Sequence, residues 1–326
     1  MFKTGSKIDE VRIDGSLDAL RKDLEYYREL NIKVVELPVH GLDAIKNGQL
    51  DRKHTERIKG ILRDFNFEYS VHCPNPLNLM DRDDPELHLS VFRASLEFAR
   101  ETKSQILVYH SGRFIPEETF PVNGDRRLSS EEEKELLDIE ATLLRTLSEE
   151  YSDVVICLEN ARPYLFHSPY CYAERIDALN KQVKRIDREN VRIALDIGHL
   201  YMAASFYNFD PLEAVADIGN LIAHTHIHDN FGKAVHHYEK MQTHQLPFGR
   251  GDSHMPVGWG EIPVARIIST YIDSYRGMFI MELRSRYFNY VEESMANLED
   301  ILAKAASCRR DVQLPEEKRI NRALTQ

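Results

Sequence analysis

Eight short runs of β-branched and apolar residues punctuate the chain, and all but the first hand over to a charged or imidazole side chain at the far end. The first run is weak, lying within residues 2–13 and interrupted by acidic residues. The others are IKVVEL with Glu36, FEYSVH with His72, QILVYH with His110, DVVICLE with Glu159, VRIALD with Asp196, LIAHTHIH with His226 and GMFIMEL with Glu282. Between them, apolar residues recur every three to four positions, the period of a helix with one buried face. Leu17, Leu20, Leu24 and Tyr27 form such a stripe behind Ser16, a residue suited to capping a helix. The pattern predicts further helices over 57–65, 84–101, 172–186, 262–275 and 291–306, and one opening at Asp210-Pro211. Another is expected over 130–150, with Ser130 and Glu133 as its capping box.

Strands alternating with helices argue for βαβ units and a parallel sheet. Side-chain parity selects a closed (β/α)8 barrel over an open sheet. If the polar terminal residues point inward, then Val154, Ile156 and Leu158, and likewise Val191, Ile193 and Leu195, point out toward covering helices. The polar ends then converge at one mouth. The long connections, 111–129, 161–171 and 231–261, all follow strands, on the face where such barrels keep their chemistry. One domain over 1–306 with a charged C-terminal extension over 307–326 is expected.

The 326 residues suit one barrel with long loops, and 42% apolar content supplies a core. A net charge of −11 disfavours a polyanionic partner such as nucleic acid. Four cysteines without a C-x-x-C pair fit a reducing compartment, so a cytoplasmic location is expected. No run is long and apolar enough for a membrane span.

Nine residues carry the candidate chemistry: His72, His110, Glu159, Asp196, His199, His226, Asp252, His254 and Glu282. Gathering the carboxylates at one mouth without cations would raise their pKa values at a cost of several kcal/mol. A divalent ion resolves that conflict, and Asp with His suits Zn²⁺, Mn²⁺ or a similar metal. Asp196-x-x-His199 sets a carboxylate at a strand end and an imidazole on the next turn, and Asp252-x-His254 offers two donors from an extended loop.

The segments SVHCPNPLNL, LVYHSG, CLENA, LDIGH, HIHDN, GDSHMPVGWGE and IMELR together resemble the xylose-isomerase-like TIM-barrel superfamily. That group holds sugar isomerases and epimerases together with apurinic/apyrimidinic endonucleases of the endonuclease IV type. Similarity to the epimerases implies one divalent ion (Zn, Mn or Co) on Glu159, Asp196, His226 and Glu282, with Glu159 and Glu282 also moving protons beside a carbonyl. Similarity to the endonucleases implies three zinc ions on all nine positions and hydrolysis of a phosphodiester. Cys73-Pro74-Asn75-Pro76 stands where those endonucleases carry a bulky tyrosine-leucine pair, which tilts the reading toward isomerisation or epimerisation of a small sugar or sugar phosphate. A non-catalytic sugar-binding barrel is the third reading. The resemblance also allows a homo-oligomer. Substrate-binding candidates are Glu36, His199, Arg113, Arg162, Lys233, Arg284 and Trp259, which face the mouth or follow strands. His228 and Asp229 are expected to orient His226.

Overall fold

The computed structural model describes residues 2–120, 127–236 and 244–312. Eight parallel strands close into one barrel in sequential order. They are β1 (Lys3–Lys7), β2 (Val34–Pro38), β3 (Glu68–His72), β4 (Ile106–His110), β5 (Val155–Glu159), β6 (Val191–Asp196), β7 (Ile222–Ile227) and β8 (Met278–Met281). An extra two-stranded hairpin, Ile45–Lys46 with Gln49–Leu50, follows β2 and was not anticipated.

Parity places the side chains as expected. Val34, Ile106, Val108, Cys157, Ala194, Met278 and Ile280 form a small apolar cluster inside the barrel. Ile156, Leu158, Val191, Ile193 and Leu195 belong instead to the larger core between strands and helices. Several inward faces therefore pass from an apolar plug to a polar mouth within two residues, as in Val108 to His110, Cys157 to Glu159, Ala194 to Asp196 and Ile280 to Glu282.

Helices α1 (Glu10–Ile13), α2 (Leu17–Glu29), α3 (Arg52–Leu62), α4 (Pro85–Glu101) and α5 (Ser130–Glu150) cover the first half. Helices α6 (Ile176–Ile186), α7 (Ile197–Tyr207), α8 (Pro211–Ala216), α9 (Val264–Ser269) and α10 (Val291–Val312) cover the second. Several boundaries moved for identifiable reasons. The capping box of α5 is Ser129 with Glu132, one residue earlier than expected. Asp51 caps α3 through the His54 N–H, so that helix starts at Arg52. Helix α7 was missed because Ile197, Leu200, Met202, Ala203 and Ala204 are buried on more than one face, which erases the amphipathic period. Only 264–269 of the expected 262–275 helix is helical. Helix α10 passes Ala306 and runs to Val312, and the rest of the expected extension, 313–326, lies outside the described residues. No described helix is long and apolar enough to cross a membrane. Cys73, Cys157 and Cys171 are buried free thiols.

Candidate metal centre at the barrel mouth

The barrel ladder delivers its polar ends to one place. Register aligns His110 with Glu159 and Asp196 with His226, while Ile280, two residues before Glu282, also pairs His226. Glu159, Asp196, His226 and Glu282 each offer a ligand atom within 4.8 Å of the others. His72, His110 and Glu159 form a group that overlaps it at Glu159, and His199, His228, Asp252 and His254 form a separate group beside it. Glu159 sits at the junction: its Oε1 is 2.9 Å from His226 Nδ1, and its Oε2 lies 3.1 Å from His110 Nε2 and 3.4 Å from His72 Nε2.

The backbone around these donors is held by hydrogen bonds. Asn160 clamps Asp196 reciprocally, its side-chain amide donating to the Asp196 carbonyl and its side-chain oxygen accepting from the Asp196 N–H. The Asp196 carboxylate caps α7 by accepting the His199 N–H at 2.6 Å, which explains the Asp-x-x-His spacing. Asp252 and His254 arrive on the long connection after β7. A two-way backbone bridge between Asp229 and Met255 folds that connection back over the mouth. His254 is held in the left-handed region at φ 43°, a strained setting for a non-glycine residue. The Asp229 carboxylate accepts from the N–H groups of Asn230, Gly258 and Ile262. It organises the loop, and the expected role in orienting His226 falls to Glu36.

Three of the imidazoles are oriented through Nδ1. His72, His199 and His254 each present Nδ1 to a backbone carbonyl, of Cys73, Asn160 and Glu282, at 2.7, 2.9 and 2.9 Å. That contact fixes the ring and aims Nε2 at the site, the usual outer-shell arrangement for a metal-bound histidine. His226 is reversed: its Nε2 lies 2.9 Å from Glu36 Oε1, and Nδ1 faces Glu159 and Glu282. Buried side-chain atoms without a hydrogen-bond partner include His72 Nε2, Glu159 Oε2, Asp196 Oδ2, His199 Nε2 and both ring nitrogens of His228. Unsatisfied buried donors and acceptors cost about 1–3 kcal/mol each. Their concentration among N and O donors fits a divalent cation well.

The charges of the metal-free site are balanced internally. Burial opposes ionisation of Glu159, yet His226 and His110 hold its carboxyl well below the usual range. Burial likewise opposes charge on Glu282, which Lys7 and His226 hold low. Burial disfavours the His226 imidazolium, but Glu36, Glu159 and Glu282 raise its pKa well above the ordinary value. His72 goes the other way, pushed down by burial and by Lys7.

Substrate candidates divide by position. Arg162 and Arg284 line a cavity of about 190 Å³ at the mouth with Lys7, Asn75, His110, His254 and Glu282. Arg162 Nη1 lies 3.4 Å from Asp252, and Arg284 donates to the Asp252 carbonyl at 2.9 Å. His199 is buried between Asp196 and Asp252. Arg113 is buried and engaged with Glu117 and the Leu77 carbonyl. Three of the expected residues do not line the mouth cavity. Glu36 is fully buried beneath His226, where Ser70 and His224 also hold its carboxylate, so its contacts are with protein side chains below the mouth cavity. Trp259 donates to Glu293 and packs on Tyr290 beside α10, away from the mouth cavity. Lys233 is exposed and contributes its carbonyl to the Gly251 N–H.

Lys7 was missed. It ends the weakest strand, is 5% exposed, and sets its ammonium 2.5 Å from Glu282 Oε1. Parity applied to KTGSK would have turned it inward, but the run lacks the apolar residues that flag a strand. A larger cleft of about 660 Å³ lies at the other end of the barrel, lined by Lys59, Arg63, Tyr69, Arg100 and Lys103 among others, and contains none of the mouth carboxylates.

Known proteins agree with this fold. The chain is 26% identical over 306 residues to the protein MJ1311 of Methanocaldococcus jannaschii, covering 87% of this chain and 90% of that protein. A D-tagatose 3-epimerase-like protein superposes with a TM-score of 0.69 at 22% identity, covering 94% of this chain and 99% of the other. An L-ribulose 3-epimerase superposes with a TM-score of 0.68 at 11% identity, covering 97% and 99%. With the closed barrel, and with the match of residues 17–311 to the family described as xylose isomerase-like TIM barrel, the chain belongs to that family.

Proposed function

We propose that this protein is a divalent-metal-dependent isomerase or epimerase of a small sugar or sugar phosphate. The observation that carries the reading is the convergence of Glu159, Asp196, His226 and Glu282 at the barrel mouth, where Glu282 also lines a cavity of about 190 Å³. These four residues would hold Mn²⁺, Co²⁺ or Zn²⁺. When bound, the ion supplies polarisation of a carbonyl and its neighbouring hydroxyl, so that charge developing on oxygen is stabilised.

The chain's own groups do the rest. Glu159 and Glu282 remove and return the proton on the carbon beside the carbonyl. Lys7, against Glu282 Oε1, keeps that carboxylate ionised and fixes its orientation. Glu36 holds the His226 ring from behind, and Asn160 holds the Asp196 backbone. Arg162 and Arg284 give the mouth positive charge that suits a phosphate or carboxylate on the substrate. One protein of similar fold is described as an L-ribulose 3-epimerase and another as D-tagatose 3-epimerase-like, which makes ketoses and their phosphates the first panel to try.

The test is proton exchange from solvent into a ketose panel, followed by NMR. Exchange should vanish on chelation and return with Mn²⁺, Co²⁺ or Zn²⁺. Full turnover by chelated protein overturns the mechanism, and sugar binding without exchange leaves a binding barrel.

One observation favours a second reading. All nine donor positions of the endonuclease resemblance fall into three groups, two of which share Glu159. Phosphodiester hydrolysis on several zinc ions would use them all. Incision of an abasic duplex by the zinc-loaded protein decides that case.

A further inference from the structure

The cleft at the end of the barrel opposite the mouth has no place in either reading. It encloses about 660 Å³, within the range of about 300–1,000 Å³ usual for ligand pockets, and it shares no residue with the mouth cavity. The chain carries a net charge of −11, yet four cations, Lys59, Arg63, Arg100 and Lys103, line this cleft against two carboxylates, Glu68 and Glu101. Two of the four are engaged elsewhere. Lys59 lies 2.6 Å from Glu56 and 2.5 Å from Glu101, and Arg100 holds Asp153 while lying over the Tyr151 ring. Arg63 reaches Glu56 only at 3.8 Å, and Lys103 has no ion pair among the described residues.

Lys103 is held in an unusual place. It follows α4 at φ 58°, in the left-handed turn that closes the helix through its own N–H to the Arg100 carbonyl and the Ser104 N–H to the Ala99 carbonyl. Eight described non-glycine residues have positive φ, and six of them are Asp or Asn, whose short side chains tolerate that backbone. The two exceptions are His254, over the mouth, and Lys103, on this cleft. Asn31 and Asn208 close α2 and α7 in the same conformation. The helix dipole would favour a cation in the last turn of α4, but Arg100 already supplies one. A long cationic side chain where asparagine would fit more easily points to a use for its charge.

The rest of the wall is apolar. Leu62, Phe67, Tyr69 and Met278 line it, with Phe67 and Tyr69 half-buried and set edge to face at 80°. Phe65 stacks on Phe67 with planes 12° apart, and the Tyr69 hydroxyl donates to the Leu62 carbonyl, so both rings are held in place. We propose that this cleft binds a flat aromatic ring carrying a phosphate, the chemistry of a nucleoside monophosphate, with the ring against Phe67 and Tyr69 and the phosphate held by Arg63 and Lys103. Aromatic side chains offer a stacking surface to any base, and guanidinium and ammonium groups both take phosphate. The segment 313–326 of the chain itself is a poorer occupant, since it brings Lys318, Arg319 and Arg322 against Glu316 and Glu317 to a wall already rich in cations. The inference does not depend on the proposed reaction.

The probe is adenosine 5′-monophosphate, titrated calorimetrically into the full chain, with adenosine and ribose 5-phosphate as its two halves. The whole probe should bind at least tenfold more tightly than either half. Lys103→Gly frees the backbone and removes the charge, so it should weaken the probe by tenfold or more while the melting midpoint of the free protein stays level or rises. Arg63→Glu should weaken it by a similar factor, and Glu159→Gln should leave it unchanged. No binding, ribose 5-phosphate binding as tightly as the whole probe, or undiminished binding by Lys103→Gly overturns the site. Loss of binding together with an earlier melt in Lys103→Gly would trace to the helix end and also overturns it. Binding abolished by Glu159→Gln would place the probe at the mouth, and binding that emerges only on truncation after Val312 would make the chain's own segment the occupant; either result refutes the proposal.

Discussion

The donors at the mouth come by two routes, and the routes behave differently. Glu159, Asp196 and His226 sit on barrel strands, with Glu282 one residue past β8, so a continuous parallel ladder fixes their spacing. His199, Asp252 and His254 ride on a helix and a connection, held by a cap, a strained backbone and a single two-way bridge. Imidazoles and carboxylates neutralise one another at about 3 Å in both sets, as between His226 and Glu159 at 2.9 Å and between His254 and Asp252 at 2.8 Å, but only the strand-borne set has the ladder beneath it. The connection-borne set has less to fix it and more to gain from an ion. Chemistry that needs carbon and proton placed to a fraction of an ångström belongs with the first set.

Breaking the strand-borne set should have the largest effect. Glu159→Gln removes the carboxylate that touches His226, His110 and His72. Proton exchange into the sugar panel should fall by about 10²–10⁴-fold, the range expected for a lost acid–base group, and the metal of that centre should go with it. Unchanged exchange would remove Glu159 from the reaction.

Lys7→Met comes next, and it separates a site charge from a structural one. In chelated protein the change takes the ammonium from the Glu282 carboxylate and from Glu10, leaving Glu282 to His226 and His254, so unfolding in urea should show a loss of about 3 kcal/mol. In metal-loaded protein the ion takes over that neutralisation and the loss should shrink. Equal losses in both forms would mean that Lys7 supports the fold alone.

The connection-borne set should announce itself through pH. Burial alone would keep His199 neutral, but Asp196 and Asp252 reverse that and raise its pKa to about 10. The unfolded chain has a histidine pKa of about 6.5. The folded state therefore holds a proton that the unfolded state releases, and the associated stability is complete below about pH 6.5 and drains away as pH rises toward about 10. Melts of chelated protein should show a midpoint lower by a few degrees at pH 10 than at pH 7, and His199→Gln should flatten that part of the slope. Zinc reverses the trend, because an imidazole must lose its proton to bind, so loading tightens as pH rises. Parallel slopes for the variant and the unmodified protein would refute the assignment.

The same division decides what could be read from the sequence. Strand parity is a period of two, and a run such as VICLE declares both its buried face and its polar end, so Glu159, Asp196, His226 and Glu282 were legible with the barrel itself. The Asp196-x-x-His199 spacing was legible as a turn, though the helix behind it was not, since α7 is apolar on more than one face. Lys7 was hidden because β1 carries KTGSK, with scarcely an apolar residue. Glu36 was placed on the right face at the wrong depth: β2 runs on to Pro38, which puts Glu36 in mid-strand under His226. Trp259 and Lys233 could not be placed from sequence because a long connection has no period, and only its contacts with Glu293, Tyr290 and Gly251 show where it lies. His228 shares the parity of His226, yet nothing in the sequence says that a glycine across the mouth makes room for it.

Gly198→Ala tests that last relation with the smallest expected effect. The added methyl would lie 2.0 Å from His228 Cε1, so the ring must move or α7 must shift outward. Overpacking of this kind costs about 1–3 kcal/mol. The displacement acts on the ring that stacks on His254 and on none of the strand-borne four. On the hydrolase reading, zinc held by His199, Asp252 and His254 should therefore weaken by about tenfold, or about 1.4 kcal/mol, while the Glu159 centre keeps its metal and its exchange rate. If both ions weaken together, the two sets are mechanically one, and Asp196, which touches His228 and also caps α7, is the residue that joins them.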